Sequence, residues 1–357
     1  MTESLRGLAT VKGQQFVIVT AIFFLLILAV AGLRVWAKIV VGRRFEIHDY
    51  LAFAALICTT GFAVVSILCV YPGTVGMHLP DAASLGSSVM RTTLKIFYSA
   101  GFIWITSTIL IKLSLLHFYR SIFLVHSVRS QRIKLLQYSA YTIYALCVLY
   151  WIAHITLLLR ICQPITLQWD PAQGSGHCGD ITKEEISSSA MNMILDLSIV
   201  ILPMPSLWSL RISLKKKFAI NAILSLGLLV CIISAVRLIL VIRNGSEDFT
   251  YTSTDVGIFS GSEIYIGWIS TSLPTLGPLF RKDRLATEAR NRKYYVSRRG
   301  ERSGKPLKKG FRDSLLMMNQ SFQPLKDQDI SWGGSGLSNK QQAISRTQEI
   351  HVTVDTV

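Results

Sequence analysis

Apolar positions along this chain gather into seven long runs separated by short polar stretches. The runs lie at about Phe16 to Ala37, Tyr50 to Val70, Ile96 to Tyr119, Tyr138 to Leu159, Ser188 to Leu210, Phe218 to Ile242 and Val256 to Phe280. Each reaches the roughly 20 residues that a helix needs to cross a hydrocarbon core of about 30 Å. Backbone groups inside lipid find no water to bond, so every run is predicted as a helix. The pattern therefore predicts an all-α, polytopic membrane protein. Its seven-transmembrane-helix bundle spans residues 16–281, with a short outer N-terminus at 1–15 and a tail at 282–357. The tail is polar, rich in Gly, Ser and Gln, and has no apolar period long enough for a domain. It reads as largely disordered. The first run reads as a retained span rather than a cleaved leader, because it is long and is followed by Arg34, Lys38, Arg43 and Arg44 instead of a small-residue cleavage site.

Composition agrees with lipid as the main partner. Half of the residues are hydrophobic, 16% are charged and the mean hydropathy is +0.42, against the roughly 25% charged residues of an ordinary soluble domain. The net charge of +16 invites a nucleic-acid reading. Its placement excludes one: 16 basic and 8 acidic residues fall between Arg281 and Val357, and much of the remaining excess sits in three short loops. Those loops carry Lys38, Arg43 and Arg44, then Arg120, Arg129, Arg132 and Lys134, then Arg211 and Lys215 to Lys217. The alternating loops are poorer in base. Basic loops stay in the cytosol, so the N-terminus is expected outside or in a lumen and the tail in the cytosol. Plasma membrane and endomembrane both remain open.

Six cysteines occur. Cys58, Cys69, Cys147 and Cys231 fall within or beside apolar runs and read as packing residues. Cys162 and Cys178 bracket a Pro- and Gly-rich loop on the predicted outer, oxidising side, which favours a disulfide between them. No CxxC, HExxH or comparable metal spacing is present. Asn244-Gly245-Ser246 is a glycosylation acceptor on the outer side, close to the end of the sixth run; Asn319-Gln320-Ser321 falls in the cytosolic tail, out of the transferase's reach.

Ionisable groups inside spans are costly and mark candidate function. Here they are Asp196 near the middle of the fifth run, Lys112 in the inner half of the third, Arg237 in the outer third of the sixth and Glu263 in the outer half of the seventh, with His154 and His117 as weaker candidates. Depth matching pairs Arg237 with Glu263. Lys112 and Asp196 differ in depth by about 10 Å at 1.5 Å per residue, a gap that the lysine stem or Asn192 is placed to close. The charges fit a proton or ion relay, the wall of a ligand cavity, or a structural pair that fixes helix register. Pro203 and Pro205 in the fifth run, and Pro274 and Pro278 in the seventh, are predicted to break their helices and are candidate hinges.

The ordered set of motifs resembles the fungal rhodopsin-type seven-transmembrane domain family, which includes the satratoxin-cluster membrane protein and fungal receptor-like proteins. It comprises His48-Asp49-Tyr50, Gly76-Met77-His78, Lys112 to Leu116 with Phe118-Tyr119-Arg120, the Cys162-Gln163-Pro164 to Trp169-Asp170 to Gly176-His177-Cys178 loop, Asp196 with Pro203-Met204-Pro205, Arg237-Leu238, and Glu263 with Leu273-Pro274-Thr275. His48 departs from the pattern, where a second acidic residue is expected. The family name does not import retinal: its Schiff base needs a lysine in the seventh span, and Val256 to Phe280 contains none. The chain also lacks the Asp/Glu-Arg-Tyr and Asn-Pro-x-x-Tyr endings used by animal receptors. Three functions follow, in order: a receptor-like sensor of a small, apolar ligand or surface cue, with a cytosolic signalling partner at the basic inner loops; a membrane component of a secondary-metabolite cluster that handles or exports its product; and an intramembrane enzyme. No catalytic residue is assigned.

Overall fold

The computed structural model describes residues 10–42, 44–71, 73–125, 131–170, 176–204, 214–244 and 248–276. The tail at 282–357, Pro205 and Pro278 lie outside the described residues.

Eight helices make up the described chain. They are α1 (Val11–Val41), α2 (Ile47–Val70), the short α3 (Leu79–Ser84), α4 (Ser87–Val125), α5 (Gln131–Arg160), α6 (Ile181–Ile201), α7 (Leu214–Asn244) and α8 (Phe249–Leu276). Between α5 and α6 lie two two-residue strands, β1 (Cys162–Gln163) and β2 (His177–Cys178), paired antiparallel around a 3₁₀ turn at Ile165–Gln168. Several helix ends follow from local chemistry. Thr10 caps α1 by accepting the Gly13 N–H at 3.2 Å, and Gly42 closes it in the left-handed region (φ 69°). Asp180 caps α6 by accepting the Lys183 N–H at 3.0 Å.

By length and composition, five helices are apolar enough to cross a membrane: Val11–Val40, Ile47–Val70, Ser87–Ser121, Leu135–Arg160 and Leu224–Arg243. They coincide with five of the seven expected crossings. The other two, α6 and α8, have 21 and 28 residues, enough for about 30 Å or more at 1.5 Å per residue. The α8 sequence is more polar because its polar residues face protein. α8 packs against α1, α2, α4 and α7, and Thr250, Ser253, Thr254, Ser260, Ser262, Glu263, Ser270, Thr271 and Ser272 are all buried along it. The lipid-like surface belongs to the outer helices: Ile22, Leu25, Trp36, Ile57, Leu149, Ile152 and Ile232 are each more than half exposed.

The core joins Ile27, Phe62, Trp104, Ile105, Leu116, Tyr150, Leu195, Ile264, Tyr265 and Trp268 from α1, α2, α4, α5, α6 and α8. Polar stitches fix the helices' register. Trp268 Nε1 donates to the Ala52 carbonyl at 2.8 Å, Ser114 Oγ to the His48 carbonyl at 2.8 Å, and the Thr59 and Ser107 hydroxyls meet at 2.7 Å. Gly76 is needed where it stands. Its φ is +100°, and a Cβ there would meet the Gly13 nitrogen at 2.9 Å, while its own N–H donates to the Thr250 carbonyl at 3.0 Å.

Candidate functional site

Four helices deliver ionisable side chains to one place in the bundle. α6 contributes Asn192 and Asp196, which share a face at i, i+4. α4 contributes Lys112, α7 Ser234 and Arg237, and α8 Glu263. The Lys112 ammonium donates to Asp196 Oδ1. Asp196 Oδ2 accepts from Asn192 Nδ2 at 3.2 Å and Ser234 Oγ at 3.1 Å. Asn192 Nδ2 also donates to Glu263 Oε1 at 2.7 Å. Glu263 Oε2 lies 3.3 Å from Arg237 Nε, and the Arg237 guanidinium stacks 4.3 Å from the Trp104 ring centroid. Exposure is 3% for Lys112, 0% for Asn192, 6% for Asp196, 3% for Arg237 and 2% for Glu263. These charges have traded water for one another, which is tolerable only because two cations face two carboxylates.

The sequence pairs Arg237 with Glu263 by depth, and the two lie in ion-pair contact. It leaves about 10 Å between Lys112 and Asp196 by the same measure, yet these side chains touch, because the four-carbon lysine stem covers the difference. Asn192 turns two pairs into one network, since its amide reaches both carboxylates.

The network borders a cavity of about 40 Å³ whose wall includes Thr108, Lys112, Tyr119, Asp196, Glu263 and Ser270. That volume holds a few waters at about 10–15 Å³ each. It is roughly tenfold below the 300–1,000 Å³ of an ordinary small-molecule pocket. Asn192 Oδ1, Arg237 Nη2, Glu263 Oε2 and Thr108 Oγ1 are buried without a hydrogen-bond partner among the described residues. The cluster thus keeps unused donors and acceptors beside a water-sized space, which suits exchange of partners or uptake of a proton.

A second buried cluster escapes the sequence reading. Arg34 and Lys38, read from the sequence as part of the basic flank of the first span, are 1% and 6% exposed. Asp49 Oδ1 accepts from Arg34 Nη2 at 2.9 Å, and Asp49 Oδ2 accepts from Lys38 Nζ at 2.6 Å and the Glu46 N–H at 2.9 Å. Arg34 Nη1 also donates to the Thr271 carbonyl at 2.7 Å and to Ser272 Oγ at 3.2 Å. The available signal was an acid opening the second run at the depth of bases closing the first.

Of the candidate hinge prolines, Pro274 and Pro203 behave differently. α8 continues through Pro274 to Leu276, so Pro274 does not end the helix. It withholds the N–H that the Ser270 carbonyl would accept, and the next carbonyl, Thr271, takes Arg34. α6 ends at Ile201, just before Pro203, where the break in the fifth run is expected.

At the end of the bundle that carries the paired strands, Cys162 and Cys178 form a disulfide. Asp170 in that loop pairs with Arg91 at 2.7 Å, and the Trp169 ring lies 5.8 Å from that of Tyr98. At the same end, Asp248 accepts from His78 Nδ1 at 2.7 Å and the Leu79 N–H at 2.8 Å. These two bonds, His78 first, hold its carboxyl below the ordinary aspartate value. His78 stacks on Tyr251 at 4.2 Å, and Lys12 Nζ bonds Asp255 at 2.7 Å while sitting over the same ring. Asn244 is the last residue of α7, and Gly245 and Ser246 of its acceptor motif lie outside the described residues.

The profile of the fungal rhodopsin domain matches residues 33–282, a span that contains the central cluster, its cavity and the disulfide loop. The chain belongs to the fungal rhodopsin domain family. Among curated relatives of this family member, "Fugralins biosynthesis cluster protein 2" of Gibberella zeae is 25% identical over 54% of the chain and 52% of its own length. "SAT4 family membrane protein" of Emericella nidulans is 31% identical over 37% of the chain and 33% of its own length. "Wortmanamides biosynthesis cluster protein C" of Talaromyces wortmannii is 27% identical over 71% of the chain and 67% of its own length. The chain spans about half the length of the first of these relatives and a third of the second. No solved structure matches this fungal rhodopsin domain protein.

Proposed function

We propose that this fungal rhodopsin domain protein is a seven-span membrane component of a small-molecule biosynthetic cluster, and that its central charge network is the switch through which it acts. The observation that carries the switch is Asn192 bonding both carboxylates of two opposite-charge pairs on four different helices. A network with partners on four helices and unused bonding capacity ties the state of one side chain to the packing of all four. The names of two relatives, from separate fungi, support the pathway setting. In this reading α6 and α8 are the remaining crossings, the disulfide end faces the outside or a lumen, and the basic tail is cytosolic.

The narrowness of the cavity speaks against a conduit for the product, because about 40 Å³ admits waters and not an organic molecule. A receptor-like role for a small ligand or surface cue is the second reading, with the cue bound outside this cavity. The basic inner loops proposed as its partner-binding face, including Arg132 and Lys215 to Lys217, have side chains outside the described residues. Deletion of the gene, followed by profiling of secreted and cell-retained metabolites, tests both. Product that is made but retained supports handling or export. Unchanged product with a lost response to a chemical cue supports the sensor. No change in either refutes the pathway setting.

A further inference from the structure

The polar groups between α5 and α6 are not used by the central pairs, yet they lead toward them. Glu184 stands in the first turn of α6 at the disulfide end, beside Lys183, whose side chain is 84% exposed. Its Oε1 lies 3.1 Å from His154 Nδ1. The same ring nitrogen is 2.9 Å from Ser188 Oγ, and the Ser188 hydroxyl is 2.9 Å from the Tyr150 hydroxyl. His154 is 7% exposed, and the Glu184 side chain, at 11%, is the nearest of these groups to bulk water. On its other side the Trp104 ring meets His154 edge-on, with centroids 6.4 Å apart, and carries Arg237 on its face. The Tyr150 hydroxyl feels the fields of both Arg237 and Glu263.

We propose that Glu184, His154, Ser188 and Tyr150 form a proton-loading site, through which the pH of the compartment facing the disulfide loop sets the state of the central network. This rests on the switch reading above and names the species that throws the switch. The imidazole is the side chain whose ordinary titration falls in the physiological range. A proton arriving at Glu184 moves to His154 Nδ1, and the resulting imidazolium is stabilised by the Glu184 carboxylate left behind. The charged groups around it are Glu184 and Glu185 on α6, Arg237 on α7 behind Trp104 of α4, and Glu263 on α8 beyond Tyr150 of α5. A new positive charge on His154 repels Arg237 and attracts Glu263, which strains the 3.3 Å contact between them and favours rearrangement around Asn192.

The test is nuclear magnetic resonance of the full chain in lipid nanodiscs, with its seven histidines isotope-labelled and the His154 signal identified by its loss in His154→Gln. The ring signal of His154 is followed across the range in which an imidazole ordinarily changes charge, about pH 5–8. Glu184→Gln moves the midpoint to lower pH by at least about half a unit, a threefold loss of proton affinity. Glu263→Gln moves it in the same direction, and Arg237→Met in the opposite one. Either of these last two variants suffices if the other does not fold. A His154 signal that stays fixed over the range overturns the proposal. So does a midpoint indifferent to Glu263 and Arg237. If deletion alters the metabolite profile while His154 fails to titrate, the pathway reading stands and the proton site falls.

Discussion

Replacing Lys112 by Met removes one cation from a network that is neutral only when all four charges are present. Asp196 then remains 6% exposed, with its charge supported by hydrogen bonds from Asn192 and Ser234 alone. Removing one partner of a buried pair costs about 3–5 kcal/mol. The two surviving bonds to a charged acceptor place the expected loss near the lower end, about 3 kcal/mol. At about 2–4 °C per kcal/mol, the melting temperature falls by about 6–12 °C. Cys69 and Cys147 are buried, unpaired thiols, so a thiol-reactive fluorophore reads unfolding in detergent without an added label. Lys112→Met/Asp196→Asn removes both charges and keeps an amide that bonds Asn192 and Ser234. The double variant should recover about 2 kcal/mol of the loss, because charged groups in direct contact couple rather than add. A single variant melting within about 2 °C of wild type, or a double variant no better than the single, refutes the account of a pair held by mutual neutralisation.

Exchanging Arg237 and Glu263 is expected to restore the thermal stability lost in either single replacement by Ala, at least in part; a swap as poor as the worse single shows that their 3.3 Å contact is incidental. Arg34→Met strips Asp49 of one of its two cations and frees the Thr271 carbonyl. It should destabilise by about 3 kcal/mol in the same melt, whereas an anchor at the lipid surface would contribute almost nothing. Reducing the Cys162–Cys178 disulfide, whose cysteines lie 16 residues apart, should cost about 3 kcal/mol by loop-closure arithmetic, read as a lower melting temperature with reductant present. The Asp248 carboxyl is held below its ordinary value, so its stabilisation is complete above the unfolded aspartate value and disappears as pH falls through the lowered folded one. Protection of the Leu79 amide from hydrogen exchange should therefore persist in mild acid, fall in strong acid, and be reduced at every pH in Asp248→Asn.

Much of the architecture is written one-dimensionally. Lipid imposes length, apolarity and helical backbone on each crossing, so α1, α2, α4, α5 and α7 announce themselves by hydropathy alone. Cysteines bracketing one Pro- and Gly-rich loop likewise disclose their bridge. α8 is a weaker signal for the same physical reason: shielded by neighbours, it is free to carry polar side chains that lipid would reject; α6 is weaker because its first turns carry Lys183, Glu184 and Glu185. The four intramembrane charges are legible because each breaks an apolar run, and depth suffices to match Arg237 with Glu263. What depth along the chain cannot encode is rotation about each helix axis and the sideways reach of a side chain. Only packing decides that Lys112 spans the gap to Asp196, that Asn192 reaches both carboxylates, that Arg34 and Lys38 turn inward to Asp49, and that α8 runs on through Pro274 while Arg34 bonds its Thr271 carbonyl. Hydrophobicity is a property of a segment and survives in the sequence; the pairing of buried charges belongs to the space between segments, and that space exists only once the helices are assembled.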